Sequence, residues 1–395
     1  MSGSLLCQAA VVFIMSLIPS NPVGAATSSD IPTGKIRIIY TNDTVGYLEP
    51  CNCGGRYLGG LARRATAISD LVSENPHCLI VDSGNISNTR ANMGIVASLM
   101  SGMGYDAVGI GALDRNMEDE FFGCALKYGL VVVDTTSGVS VTSTPYIIKD
   151  INGIKVGVVS YSACASGTVV SADALERFYT NYRFARDKSD LLILLDQGEI
   201  VAKDWQQRWA DRLGAPDIVI AGVNRMPLSR VEIVGKTHIV PTSVQGRAIG
   251  VIDVEMDADR KINVSARQIT IDKGIAEDEK VKKQISNFVN RSRTLATFSP
   301  ANVNFGSVKK GVEKEVYVTL TPAGAEKFTI KKAYSTGACV SASEWTPNPD
   351  GSYRIKVVVK ASDRLGRVLE TLSFKLGLPD EPMLNLLVFG NVVDE

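Results

Sequence analysis

A Cys-x-Cys pair, Cys51 and Cys53, is the most reactive motif in this chain, and it follows Glu49 and precedes two glycines. Two thiols at this spacing can bind a soft metal, form a strained disulfide or exchange electrons with a partner. A disulfide that staples the glycine-rich loop is the purely structural alternative. The sequence favours that alternative slightly, and it leaves a thiolate-bound metal or a redox role open.

Carboxylates form a second candidate group. Asp43, Asp82 and Asp114 follow apolar runs, so their oxygens can together hold one hard cation such as Mg²⁺ or Ca²⁺. Aspartates in such places more often cap helices or turns. The chain has two histidines, His77 and His238, and both are expected to be structural or surface residues. We therefore expect no cofactor beyond at most one divalent cation or a thiolate-bound metal.

A pair of arginines opens the first predicted helix. Arg63 and Arg64 follow Gly59 and Gly60, so free backbone amides and a guanidinium could hold an anion such as phosphate. The structural alternative is tight packing of helix on sheet, with the arginines paired to surface acids. That alternative is favoured here.

The elements that must position these residues alternate between strand and helix from about residue 35 to 275. In the first helix Leu61, Ala65, Ile68 and Val72 repeat at helical spacing. Such alternation predicts an α/β sandwich with buried sheets. The predicted strands are Ile36 to Tyr40, Cys78 to Asp82, Ala107 to Ile110, Leu130 to Asp134, Lys155 to Tyr161, Leu191 to Leu195 and Asp217 to Ala221.

The pattern changes after this region. Residues 276–296 are charged and amphipathic, which predicts a linker helix, and residues 297–395 carry short strands separated by Gly, Pro, Asn and Asp turns. This spacing predicts a small all-β sandwich. The stretches FSPANVNFGSVKKG and LLVFGNV in it resemble bacterial Ig-like modules.

Charge and the N-terminus limit the function classes. Lys plus Arg and Asp plus Glu number 42 each, so no basic field indicates nucleic-acid binding. An apolar run from Ala9 to Ile18 and small residues ending near Ala26 indicate a signal peptide over residues 1–26. We expect export to the periplasm or cell surface, with no transmembrane span after signal removal.

Five blocks between residues 35 and 272 resemble the calcineurin-like metallophosphatases, in particular their 5'-nucleotidase branch. The blocks read TNDTVGYLEPCNCGGRYLGGLARRA, LIVDSGN, GYDAVGIGALD, LLILLDQG and PDIVIAGVNR, in the family's order and spacing. The resemblance implies a metallophosphatase-like α/β/β/α sandwich over residues 35–275. It also implies two divalent ions bridged by a carboxylate, which would activate water and neutralise phosphate.

The family's metal ligands are mostly absent from the matching positions. Only Asp43 is retained, as a weak candidate for metal, and the bridging Asp becomes Asn85, a neutral amide. At the other matching positions the family's ligand residues are also replaced. These vestigial positions are Val45, the Gly111 to Asp114 segment, Gln197 and the Gly222 to Arg225 segment with Asn224.

Two functions follow from this deficit. The first, favoured by the sequence, is an exported, catalytically degenerate binding or assembly component. Its C-x-C pair, Cys51 and Cys53, offers it a redox link. The expected protein partner is one such as an exported cytochrome or an envelope complex. The alternative is a metal-dependent phosphoesterase or 5'-nucleotidase-type hydrolase with a non-canonical site. The binding or redox candidates are Glu49, the two cysteines, Arg63 and Arg64.

Overall fold

In a computed structural model of the chain, the described residues are 34–53, 55–137, 140–162, 171–198, 213–222, 230–240, 243–361, 365–378 and 382–394, with backbone alone described at 52, 53, 292 and 293. The elements up to residue 270 are, in chain order, β1 (Gly34–Thr41), β2 (Cys51–Cys53), β3 (Arg56–Leu58), α1 (Leu61–Glu74), β4 (Cys78–Asp82), α2 (Arg90–Gly102), β5 (Ala107–Val108), α3 (Ala112–Asn116), α4 (Glu118–Tyr128), β6 (Ile147–Ile151), β7 (Ile154–Tyr161), α5 (Ala172–Asp187), β8 (Leu191–Asp196), β9 (Ile218–Ala221), β10 (Glu232–Val234), β11 (Thr237–Ile239), β12 (Ala248–Met256) and β13 (Ile262–Thr270). The predicted signal peptide lies outside the described residues.

Two stacked sheets form the centre of this region. One has the strand order β13-β12-β1-β4-β5 and the other β10-β11-β9-β8-β7-β6. Their facing sides share one apolar core, to which β1 contributes Ile36 and Ile38 and β8 contributes Ile193. All six residues of β8 are buried, as expected for a strand covered on both faces.

Helices cover the two outer faces. Helices α1, α2 and α4 pack on the first sheet, whose outward residues include Ile39 and Ile80. Helix α5 packs Phe178 and Tyr182 on the second sheet. The layers are therefore helix, sheet, sheet, helix. The mixed α/β fold is confirmed.

The remaining elements are α6 (Glu279–Leu295), β14 (Ala296–Ser299), β15 (Asn302–Lys309), β16 (Glu313–Pro322), β17 (Ile330–Ser335), β18 (Val340–Pro347), β19 (Tyr353–Lys360), β20 (Gly366–Leu376) and β21 (Met383–Val393). These strands form two four-stranded sheets, β14-β16-β19-β18 and β15-β21-β20-β17, around one apolar core. We call residues 296–394 the C-terminal region and residues 34–275 the N-terminal region.

The two regions touch along α2. The Arg90 guanidinium lies 4.2 Å above the centre of the Tyr334 ring, a cation–π contact between α2 and β17. Helix α6 packs Ile285 into the core of the N-terminal region and continues directly into β14.

Some predicted strands differ from the structure. The predicted strand over Leu130 to Asp134 makes only isolated bridges, Val132 with Val108 and Val133 with Thr144. The predicted strand over Ala107 to Ile110 shortens to β5, Ala107–Val108, at the edge of the first sheet.

Candidate functional site

Three polar side chains meet where strands β1, β4 and β8 end. Asp43, Asn85 and Gln197 come from the loops after these strands, and all three are buried. The Asn85 Nδ2 donates to Asp43 Oδ1 at 2.7 Å and to Gln197 Oε1 at 3.0 Å. Carboxyl ends of strands in α/β sheets are where ligands usually bind. This cluster, Asp43, Asn85 and Gln197, is the candidate site.

The backbone of the candidate site is strained. Asp43, Val45 and Asn85 have φ angles of 47°, 53° and 56°, the left-handed region that side chains other than glycine seldom adopt. Backbone hydrogen bonds hold them there: Asp43 donates to the Gly84 carbonyl at 3.0 Å and Val45 to the Asn85 carbonyl at 2.9 Å. Strain of this kind persists where the surroundings fix the backbone, and it concentrates at functional sites.

Asp114 lies beneath the loop that carries Asn85. Its carboxylate accepts backbone N–H groups from Asn85 at 2.6 Å, Ile86 at 3.1 Å and Gly111 at 2.9 Å. Burial raises the pKa of Asp114 to about 7, against the opposing effect of these hydrogen bonds. Its oxygens are thus engaged in holding the loop.

A second buried acid lies at the end of β4. Asp82 accepts the Thr41 hydroxyl and, at 2.7 Å, the Gly84 N–H. Thr41 Oγ1 is also 2.8 Å from the Tyr105 hydroxyl. Burial raises the pKa of Asp82 to about 6. Sequence reasoning missed Thr41 and Tyr105, because a threonine inside a strand and a lone tyrosine carry no pattern.

The two arginines point to different environments. Arg63 donates through Nη1 to the Tyr57 carbonyl at 3.2 Å and pairs through Nε with Glu277 at 3.8 Å. Arg64 is fully buried and donates through Nη1 to Thr44 Oγ1 at 2.8 Å. The structure therefore does not bring the two guanidinium groups together on one anion.

The Cys-x-Cys segment forms a hairpin, in which Cys51 pairs with Leu58 and Cys53 with Arg56. Cys51 is a half-buried free thiol. The side chain of Cys53 and the whole of Asn224 lie outside the described residues, and Glu49 is exposed at the start of the hairpin.

The donor set does not fit a dinuclear metal centre. At the bridging position Asn85 turns its N–H groups toward Asp43 and Gln197, while its Oδ1 accepts the Leu113 N–H at 2.9 Å. Asp43 Oδ2 is engaged as well, because Asn42 Nδ2 donates to it at 2.7 Å. Among the described residues no cluster of three or more His, Cys, Asp or Glu could hold a metal.

A cavity of about 710 Å³ opens beside the site, between the two regions. The N-terminal region contributes the loop from Val45 to Glu49 and the start of α2, including Asn92. The C-terminal region contributes Phe298 and Met383. This volume lies within the range of small-molecule pockets.

Comparison with known proteins supports a nucleotidase-type fold, although no family model matches the chain. It is 23% identical over 300 residues to the 5'-nucleotidase of Bos taurus, covering 64% of this chain and 52% of that protein. It is also 23% identical over 309 residues to a snake venom 5'-nucleotidase of Gloydius brevicauda, covering 66% and 52%. The chain thus spans about half the length of these curated relatives.

Solved structures match the architecture. The 5'-nucleotidase precursor of Thermus thermophilus superposes with a TM-score of 0.55 at 16% identity, covering 71% of this chain and 62% of that chain. The NAD nucleotidase of Haemophilus influenzae gives 0.54 at 12% identity, covering 91% and 89%. The sulfate thiohydrolase SoxB of Thermus thermophilus gives 0.54 at 17% identity, covering 67% and 62%. The chain is therefore homologous to 5'-nucleotidases and shares their fold.

The favoured prediction from the sequence, a non-catalytic binding or assembly component, is wrong. The sequence relatives are 5'-nucleotidases, and two of the three solved structures above are nucleotidases. The error has a physical reason. A count of missing metal ligands bears on one way of activating water, the paired-ion mechanism, and says nothing about other hydrolytic mechanisms.

Proposed function

We propose that the protein is a phosphate-ester hydrolase of the 5'-nucleotidase type that works without the family's paired metal ions. The observation that carries the proposal is the convergence of Asp43, Asn85 and Gln197 at adjoining strand ends. Similarity to nucleotidases supports the substrate class, a phosphate ester with an organic group.

The cavity beside the site supports a substrate with an organic portion. It is lined by apolar walls that include Leu48 and Phe298, together with the amides of Asn88 and Asn92. Its lining residues include one charged side chain, Glu49, and no Lys or Arg. An uncharged organic group fits such a lining better than a phosphate does.

The negative charge at the candidate site must be offset before an anionic substrate can react there. A phosphate ester is an anion, and Asp43 contributes a carboxylate at the place where the phosphate must react. Asp43 with Asn85 and Gln197 in their observed orientations offers the substrate one carboxylate and no cation. The activity should therefore depend on one added divalent cation, which would bind Asp43 and offset its repulsion of the phosphate.

The test is phosphatase activity of the purified full chain on p-nitrophenyl phosphate and on nucleoside monophosphates, from pH 4 to 8. Each pH is assayed with chelator and with Mg²⁺, Mn²⁺, Ca²⁺ or Zn²⁺. We expect turnover in the wild type and a loss of at least about 100-fold in Asp43→Asn, the range of a positioned acid or base. Asp70→Asn, the same change at an exposed position of α1, is the matched control.

Two measurements can overturn the proposal. Absence of turnover in the wild type under every condition excludes a hydrolase, and turnover that Asp43→Asn leaves unchanged excludes a role for the candidate site in hydrolysis. A stoichiometric pair of bound metal ions, measured by elemental analysis, excludes the metal-pair-free site while leaving hydrolysis intact.

We also propose that the chain is exported and that its C-terminal region is an Ig-like module. Support for export comes from the apolar N-terminal run and from the venom relatives, and support for the module comes from its two four-stranded sheets. Among the described residues no helix is both long and apolar enough to span a bilayer. Cell fractionation with N-terminal sequencing of the mature chain tests the export; the protein partner stays a prediction.

A further inference from the structure

Arg64 is a charged side chain in an unusual place. It is the fourth residue of α1, and its exposed fraction is 0%. Its Nη1 donates to Thr44 Oγ1 at 2.8 Å. The guanidinium also interacts with the Tyr105 side chain, although neither Nε nor Nη2 makes a hydrogen bond of good geometry to a described residue. Burying a guanidinium with so few partners is unfavourable, so the position is expected to have a use that outweighs this free-energy loss.

The surroundings of Arg64 are acidic. Asp82 is fully buried nearby, and the positive charge of Arg64 lowers its pKa against the larger effect of burial. The same charge opposes the effect of burial on the pKa of Tyr105. Two further buried acids lie near this site, Asp43 after β1 and Asp114 in α3. Arg64 is therefore the cation beneath an acidic site.

The backbone around Arg64 leaves room for its guanidinium. A Cβ at Gly246, where φ is +65°, would lie only 2.5 Å from Arg64 Nη2. The preceding residue, Gln245, donates its N–H to the Asp43 carbonyl at 2.7 Å. The guanidinium thus lies between two chain segments, Asp43–Val45 and Gln245–Gly246.

Thr44 is the link between this cation and the strained loop. It stands between Asp43 and Val45, the two residues of the loop with left-handed backbone, and it is itself fully buried. A hydrogen bond from a charged donor is stronger than one between neutral groups. A bond to Thr44 therefore acts at the middle of the segment whose conformation is least favourable.

We propose that Arg64 is a positioning residue, which holds the Asp43–Val45 loop in its left-handed conformation through Thr44 and so places the Asp43 carboxylate in the candidate site. The role deepens the proposed function, on which it rests for its use in hydrolysis. Arg64 touches no reacting atom in this arrangement. It acts through Thr44.

The test measures loop opening directly, by amide hydrogen exchange of the full chain. The reporting amides are those of Asp43, Val45 and Gly46, which donate to the carbonyls of Gly84, Asn85 and Ile86. Thr44→Val keeps the shape of the side chain and removes the acceptor, and Arg64→Lys keeps the charge and removes the planar fork. Arg63→Lys, the same change at the neighbouring half-buried arginine, which bonds the Tyr57 carbonyl rather than the loop, is the matched control.

We expect the loop amides in Thr44→Val to exchange at least about tenfold faster, which corresponds to about 1.4 kcal/mol of local opening free energy. Arg64→Lys should show a smaller increase in exchange rate at the same amides, because the lysine ammonium group can still donate a hydrogen bond but lacks the planar fork of the guanidinium. Amides in the paired strands β12 and β13 should keep their wild-type rates. Arg63→Lys should leave the loop unchanged.

Wild-type exchange rates at the loop in both Thr44→Val and Arg64→Lys overturn the positioning role. Uniformly faster exchange throughout the chain also overturns it, since a general loss of stability then explains the effect. Because exchange needs no turnover, the two proposals fail separately. Faster loop exchange in a protein without phosphatase activity supports the positioning role and excludes the hydrolase, whereas an active enzyme with unchanged loop exchange excludes the positioning role alone.

Discussion

The two regions of the molecule place their unfavourable backbone on different residues. Among the described residues of the C-terminal region, positive φ angles fall on glycines, such as Gly311 and Gly351. The N-terminal region also places them on side-chain-bearing residues, including Asp43, Val45 and Asn85 at the candidate site. Glycine adopts such angles at little energetic expense. Asn152 and Arg260 adopt them in two hairpin turns of the N-terminal region, so what distinguishes the candidate site is that three such residues lie together in its loops.

Each region also has a buried acid that fixes a loop, and the two loops differ in what they carry. Asp114 accepts three backbone N–H groups beneath the candidate site. In the C-terminal region Glu370 accepts the Cys339 N–H at 3.0 Å and the Val340 N–H at 2.9 Å. Both carboxylates fix a loop, but the loop of Asp114 carries Asn85 and the loop of Glu370 carries no residue of the candidate site.

The largest expected effect comes from removing these acids. Asp114→Ala leaves three buried N–H groups without a partner, so we expect the free energy of unfolding to fall by at least about 3 kcal/mol. Glu370→Ala should lower it by a similar amount, about 2 kcal/mol or more. Urea denaturation measures both.

Hydrolysis separates the two variants. Asp114→Ala should also lose phosphatase activity, because the Asn85 loop is no longer held, while folded Glu370→Ala should keep the wild-type rate. Equal activity in the two folded variants would contradict the distinction between the regions.

A pH dependence of stability follows from the raised pKa values of Asp82, about 6, and Asp114, about 7. A raised acid pKa means that the folded chain binds more protons than the unfolded chain between about pH 4 and 7. Their contribution to stability is therefore full below about pH 4 and is lost as the pH rises to about 7. Each acid changes the free energy of unfolding by at most about 1.4 kcal/mol per pH unit.

Asp82→Asn should flatten this decline, since the amide does not titrate. The melting temperature measured from pH 4 to 8 tests it, with Asp70→Asn as an exposed control that should keep the wild-type slope. A slope in Asp82→Asn as steep as that of the wild type would show that Asp82 does not titrate in this window.

The smallest expected effect has opposite signs in the two regions. Val45→Gly should raise the free energy of unfolding by about 0.5 kcal/mol, because relief of the left-handed strain exceeds the added entropy of the unfolded chain. Gly311→Ala, at φ +77° with no atom within 4 Å of the new Cβ, should lower it by about 1 kcal/mol through backbone strain alone. Thermal denaturation of the two variants measures the difference, and a stabilising Gly311→Ala would remove the contrast.

Much of the fold is predictable from apolar periodicity. The run Leu191 to Leu195 predicts β8 because a strand covered on both faces must be apolar throughout. Strand β18, Val340–Pro347, is not predicted because most of its residues are exposed and few are apolar. Leu130 to Asp134 has a strand-like composition, but its neighbours offer only single bridges.

The candidate site is less accessible to sequence reasoning. The resemblance to phosphatases identifies Asp43, Asn85 and Gln197 as matching positions, yet it does not give the direction of the Asn85 amide. That direction depends on the Leu113 N–H, a contact that only the folded chain creates. Arg64 was expected at an anion site or a surface pair, and it lies in the core instead, because the helix face that it occupies turns toward the Thr44 loop.

The interregional cavity has a consequence for any shortened form of the protein. A fragment ending before residue 296 retains all the strand ends of the N-terminal region but loses the wall that contains Phe298 and Met383. Phe288 and Val289 of α6, which line the same cavity, would then face water. Such a fragment is expected to self-associate through this newly exposed apolar surface, because water-exposed apolar patches favour association.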